Sequence, residues 1–243
     1  MPEYKANIIA QLQRDILPLQ GYKPAADKHH FDAGLSFVKE AFPNGYFPTG
    51  AVHEFISLSA EETSATTGFI AGLLSFLIKD NGVAVWVCSA QTLFPPAFAS
   101  FGLEPDKIVF IRTASEKHRL WVIEEALKCQ SLSAVIGDIK ELSFTASRRL
   151  QLAVEQSQVT AFITRQQPKN LSTSCIARWR INPIASEAPE CLPGVGFPRW
   201  RVELSKVRSG KPGAWNVEWS VGRFRQLSKT RAIPIIGEQR KTG

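Results

Sequence analysis

Val83-Ala84-Val85-Trp86-Val87-Cys88 is an unbroken apolar run bounded by Gly82 and Ser89. A strand with one wet face alternates apolar and polar residues. A run this short that never alternates suits a strand buried on both faces. Three further runs behave alike: Ile108-Val109-Phe110-Ile111, Ala134-Val135-Ile136-Gly137 and Thr160-Ala161-Phe162-Ile163. An earlier strand is read at His53–Ser57, and helical patterning predicts helices over about Ser64–Ile78, Pro96–Phe101, Ser115–Cys129 and Thr145–Gln156. Short apolar strands separated by helices specify an α/β fold whose mainly parallel sheet is flanked by helices.

After Ile163 the rhythm changes. Ile176–Ile181, Trp200–Val207 and Trp215–Ser220 read as strands with no helix between them, and Ser209-Gly210-Lys211-Pro212-Gly213 supplies a turn. The sheet is therefore expected to be mixed, closing in a C-terminal antiparallel meander. Near the start, Ile8, Ile9, Leu12 and Ile16 hold helix spacing until Pro18. Residues 1–30 read as an N-terminal helix and connector, either an appended arm or a helix packed on the domain edge. Residues 31–222 read as the core, and 223–243 as a basic flexible tail.

A chain of 243 residues with 44% hydrophobic content can bury the core of one large α/β domain. No apolar run reaches the roughly 18 residues of a membrane span, and the start lacks a signal-peptide layout. A cytoplasmic protein without membrane contact is expected. Cys88, Cys129, Cys175 and Cys191 are far apart with no C-x-x-C pair, which predicts reduced thiols without a disulfide framework or zinc. His29, His30 and His53 have no carboxylate or cysteine set at ligand spacing, so no metal is assigned. There is no G-x-S-x-G elbow, and the four histidines suggest no catalytic triad.

Charge is unevenly placed. Residues 1–143 carry 12 Lys+Arg against 16 Asp+Glu, whereas residues 144–243 carry 17 against 6. Four of the six tryptophans (Trp179, Trp200, Trp215 and Trp219) share the basic part. Arginine interleaved with aromatics suits phosphate contact and base stacking, or an acidic protein surface. A sheet edge kept soluble by its charge is the alternative. The candidate DNA- or partner-binding residues are Arg148, Arg149, Arg199, Arg201, Lys211, Arg223 and Arg225. Arg199 and Arg201 alternate around Trp200, so both arginines share one face and Trp200 takes the other, where it fits the core better than a base. Trp215 and Trp219 share a face in the same way and suit sheet packing.

The segment Gly34-Leu35-Ser36-Phe37 … Gly45-Tyr46-Phe47-Pro48-Thr49-Gly50-Ala51-Val52-His53-Glu54-Phe55 resembles the run that opens the RecA core. The likeness continues through the order of downstream motifs to about residue 220. A P-loop, G-x-x-x-x-G-K-[ST], should then follow. This chain has Ser59-Ala60-Glu61-Glu62-Thr63-Ser64-Ala65-Thr66-Thr67 instead, with Ser59 and Ser64 at the glycines and Ala65 at the lysine before Thr66. Serine resists the positive φ of a phosphate nest, and Glu61 and Glu62 add negative charge to it. Aligning Thr92-Leu93-Phe94-Pro95 with the family's A-L-D-P places Ala90 where the resemblance implies the catalytic glutamate, with Gln91 beside it, and neither is a base. Asp138 remains at a strand end as a relic or cap. The links after Asp138 and Arg165 are too short for the recombinase's DNA-pairing loops. No cofactor and no catalysis are expected.

Thr145-Ala146-Ser147-Arg148-Arg149-Leu150-Gln151-Leu152-Ala153, Pro198-Arg199-Trp200-Arg201-Val202-Glu203-Leu204 and Lys211-Pro212-Gly213-Ala214-Trp215-Asn216-Val217-Glu218-Trp219 resemble the ImuA family, a RecA- and SulA-related group in bacterial mutagenesis cassettes. That resemblance implies an SOS-induced accessory to translesion synthesis and DNA repair. The partners it implies are an ImuB-like polymerase adaptor, an error-prone DnaE-type polymerase and RecA, with single-stranded DNA open as a further one. A SulA-like division inhibitor that binds FtsZ is the rival reading of the same reduced scaffold.

Overall fold

In the computed structural model the described residues are 11–12, 33–43, 45–78, 82–89, 94–187 and 196–227. The expected N-terminal helix lies almost wholly outside them, as does most of the expected tail. Nine strands form one sheet: β1 (Val52–Ser57), β2 (Ala84–Cys88), β3 (Ile108–Arg112), β4 (Ala134–Asp138), β5 (Thr160–Gln166), β6 (Ala177–Ile184), β7 (Arg199–Val207), β8 (Gly213–Ser220) and β9 (Arg223–Gln226). Their order across the sheet is β3-β2-β4-β5-β1-β6-β7-β8-β9. The pairings from β3 to β6 are parallel and those from β6 to β9 antiparallel. The mixed α/β sheet with a terminal meander is thus the fold that the apolar pattern specified.

The α-helices are α1 (Ala60–Leu77), α2 (Glu116–Leu127) and α3 (Phe144–Ser157). Each starts at a serine whose hydroxyl accepts an N–H three residues on: Ser59 from Glu62, Ser115 from His118 and Ser143 from Ala146. Short 3-10 helices cover Ser36–Ala41, Pro95–Phe101 and Pro105–Lys107.

Two cores result. On one face α1 lays Phe69, Ile70, Leu73 and Leu74 against Phe55, Trp179, Trp200, Trp219 and Phe224. On the other, Ile123 and Leu127 of α2 and Leu150 and Val154 of α3 pack on Val52, Val85, Val135 and Ile163. Beyond β6 this second face carries no helix among the described residues. There β7 alternates as the pleat requires, with Trp200, Val202 and Leu204 buried and Arg201 and Ser205 exposed.

The sheet runs past its expected end. Arg223–Gln226, read as the start of a flexible tail, is strand β9, and Phe224 is buried with its ring 4.8 Å from those of Phe69 and Trp219. The turn into β9 is Val221-Gly222, both with positive φ (51° and 67°). Two left-handed residues make the tight hairpin turn that Asn-Gly or Asp-Gly normally signals, and Val-Gly gives no such signal.

Candidate functional site

Only Leu58 and Ser59 separate the end of β1 from α1. The segment read as a degenerate P-loop is therefore not a loop: Ser64, Ala65 and Thr66 lie in the first two turns of the helix, which starts four residues before the expected Ser64. The decisive signal was the Ser59-x-x-Glu62 pattern, a capping box. Ser59 Oγ accepts the Glu62 N–H at 3.3 Å, and Glu62 Oε2 accepts the Leu58 N–H at 2.8 Å. Arg180 on β6 then clasps Glu62, with Nη2 to Oε1 at 2.6 Å and Nε to Oε2 at 3.1 Å. Hydrogen bonding from Arg180 holds the Glu62 carboxyl below its ordinary range, against a desolvation that acts the other way. Thr66 Oγ1 is turned to Ser57 Oγ at 3.2 Å. The helix end that would face phosphate already carries the chain's own carboxylate, so these residues do not fit a nucleotide triphosphate.

The cleft beside this junction has a volume of ≈ 950 Å³. Leu58, Ser64, Phe98, Phe101, Gln167 and Trp200 are among its lining residues, so it is aromatic and hydroxylated with little charge. Ala90 and Gln91 lie outside the described residues. Asp138 closes β4, its carboxylate accepting from Ser89 Oγ at 3.1 Å and its carbonyl from Arg119 Nε at 2.9 Å. No three His, Cys, Asp or Glu side chains that could hold a metal gather among the described residues.

The cationic candidates separate into bound and free groups. Arg199 is held by Glu218 at 2.7 Å and Glu187 at 2.9 Å, and Arg201 by Glu203 at 2.8 Å. Arg149 of α3 is paired with Glu124 of α2. Arg148, Arg223 and Arg225 are exposed and make no side-chain ion pair among the described residues. Lys211 sits in the β7–β8 turn, its backbone N–H donating to Ala41 at 2.9 Å while its side chain is exposed. Among the described residues the candidate arginines and the buried tryptophans mostly take opposite faces. Trp179, Trp200 and Trp219 are buried in the core under α1, on the face opposite Arg199 and Arg201, so none of them can stack a base. The cause is the period of two that drew Arg and Trp together in sequence.

Sequence reasoning also missed a buried ion cluster on the α3 side of β1. Glu54 and Arg165 are both fully buried and paired. Glu54 Oε2 takes further bonds from Arg178 Nε at 2.6 Å and Thr173 Oγ1 at 3.1 Å. Arg165 also donates to the Asn170 carbonyl at 2.8 Å and the Lys140 carbonyl at 3.3 Å. Burial pushes the neighbouring Cys175 thiol up to about 12, with Glu54 adding to the effect, so it stays protonated. The available signal was a carboxylate in an apolar strand, His53-Glu54-Phe55, which requires a buried cation.

No family model matches the chain. Protein ImuA of Caulobacter vibrioides strain NA1000 / CB15N is 32% identical to it over 195 residues, covering 75% of this chain and 80% of that protein. Protein ImuA of Caulobacter vibrioides strain ATCC 19089 matches to the same extent. The chain belongs to the ImuA family. The membership agrees with the three motif runs at residues 145–153, 198–204 and 211–219. In this chain those runs serve different ends: the first forms most of α3, and the other two form the β7–β8 hairpin that carries Trp200, Trp215 and Trp219. No helix among the described residues is long and apolar enough to cross a membrane.

Proposed function

We propose that this ImuA-family chain is a non-catalytic scaffold of SOS-induced translesion synthesis, built on a reduced RecA-like core. Family membership associates it with the SOS mutagenesis response to DNA damage. The scaffold role, the adaptor and polymerase partners and the contact with DNA are our reading. The observation that carries it is the closed helix end, where Glu62, capped on Ser59 and clasped by Arg180, takes the place a phosphate would need. A parallel core followed by a meander is also the layout that the RecA-like resemblance implied. The partners are an ImuB-like adaptor, a DnaE-type polymerase and RecA. Single-stranded DNA would be held through phosphates alone, by Arg223 and Arg225, without stacking.

Affinity capture with the tagged full chain from DNA-damaged cells tests the partners. Recovery of ImuB-like, DnaE-like or RecA protein is the expected result, and recovery of FtsZ alone would replace the reading with a division inhibitor. Isothermal titration with ATP and Mg²⁺ is expected to give no heat of binding. Measurable ATP affinity would overturn the non-catalytic reading.

A further inference from the structure

We infer that the outer surface of α2 and α3 is a docking surface for an acidic amphipathic segment of a partner protein. This deepens the scaffold reading and rests on it. Phe144, Arg148 and Leu152 follow one another at four-residue spacing and form a single exposed stripe on α3. The loop after β5 is pinned along the start of that helix, the Lys169 N–H to Glu141 at 3.1 Å and the Ser174 N–H to Ser147 Oγ at 2.8 Å. Leu171 lies between those two anchors. Glu116 of α2 meets the Glu141 N–H at 2.9 Å and Glu124 meets Arg149, so α2 and α3 run side by side in parallel and Trp121 joins the same surface. Trp121, Phe144, Leu152 and Leu171 are between 45% and 59% exposed. Four large apolar side chains this open on one face mark an interaction site more than a solvated surface.

Charge chooses the occupant. The acids along this surface are engaged: Glu124 by Arg149, Glu125 by Lys128, Glu116 by a backbone N–H, Glu141 by a backbone N–H and Arg165, and Glu155 by the Gln151 amide. Lys117, Lys140, Arg148 and Lys169 are exposed, with no side-chain partner among the described residues. A surface that pairs apolar side chains with uncompensated cations complements a segment that alternates apolar residues with Asp and Glu. Bare nucleic acid would satisfy the cations and leave the apolar stripe in water.

The test places a photo-reactive phenylalanine analogue at Leu152 of the full chain in DNA-damaged cells and maps the cross-linked peptide by mass spectrometry. The expected product is a protein segment with interspersed apolar and acidic residues. Arg148→Glu should lower its yield about ten-fold without shifting thermal unfolding, and reversing two acids of the captured segment should restore it. Cross-links to DNA, cross-links to a segment without acids, or a yield indifferent to Arg148→Glu would overturn the inference. If affinity capture by the unaltered chain returns partners while Leu152 yields no cross-link, this surface is excluded and the scaffold reading stands. If the unaltered chain captures no partner, both fall.

Discussion

Arg180 reaches from β6 to Glu62 in the first turn of α1 with two hydrogen bonds, at 2.6 and 3.1 Å, joining the middle of the sheet to the start of that helix. One carboxylate therefore caps the Leu58 N–H, neutralises an arginine and lies against the helix N-terminus, where negative charge is favoured.

Glu62→Ala should remove the cap and destabilise the protein by about 1–2 kcal/mol, read from a urea unfolding midpoint. It should not create ATP affinity, because Ala65 remains where a phosphate-binding lysine would stand. The folded-state carboxyl of Glu62 is held low, so its contribution is present above its unfolded pKa and fades as pH falls through the folded value. The acid limb of a stability–pH curve should be shallower in the variant.

Arg165→Met tests the buried cluster. It leaves the Glu54 charge inside the protein with Arg178 as its remaining ion-pair partner, and should cost about 3–5 kcal/mol. Glu54→Gln combined with Arg165→Met should cost clearly less than the two single changes added together. Chemical denaturation of the full cycle measures this, and strict additivity would show that the pair is not coupled.

His53 gives a second pH signature. It is fully buried, its Nε2 donating to the Pro48 carbonyl at 2.7 Å and its Nδ1 accepting from Trp179 Nε1 at 3.2 Å. Burial, which outweighs the Pro48 bond, lowers its pKa from 6.5 to about 4. The unfolded chain therefore takes up a proton between those values while the folded one does not, and stability falls as pH drops through that window. The loss should reach about 3 kcal/mol near pH 4, and His53→Gln should flatten that limb.

Val221 is strained. A β-branched residue at φ 51° in a two-residue hairpin turn costs about 1 kcal/mol relative to a residue that tolerates the left-handed region. Val221→Asn should stabilise the protein by about that amount and raise Tm by about 2–4 °C in calorimetry. Because Val221 is exposed, no packing is lost in the exchange.

The strands at Ala84–Cys88 and Ala134–Asp138 were legible because burial removes the choice of residue. The equally apolar run Ile108-Val109-Phe110-Ile111, read as buried on both faces, is instead the edge strand β3 with Val109 and Phe110 exposed. The β7–β8 hairpin was legible from its turn chemistry and the Arg-Trp-Arg alternation. What failed to show had physical reasons. The capping box at Ser59 and Glu62 and a decayed phosphate loop share the same small polar residues, and only the position of the strand end separates them. Strand β9 was hidden by Val221, which stands where asparagine would announce the turn. The charge excess of the last hundred residues overstated the free cations, because Arg165, Arg178, Arg180 and Arg199 pair with glutamates distant in sequence or across the sheet and Arg201 with Glu203 on its own strand. Composition counts charges and not their partners.

At the far edge of the sheet the Phe224 N–H donates to the Ala33 carbonyl at 3.1 Å, and a side chain at Gly34, itself at φ 77°, would collide with the Phe224 carbonyl. The first described stretch of the core is thus closed by its last strand. At a synthesis rate of about 5–20 residues per second the chain between them takes about 10–40 s to emerge from the ribosome. For that interval the Ala33–Leu35 edge and the α1 surface that receives Phe224 and Trp219 stand open, and the nascent protein depends on chaperones or on its own speed. A premature stop before Phe224 would leave that surface bare permanently, so truncated products should be cleared by proteolysis instead of persisting as shortened chains.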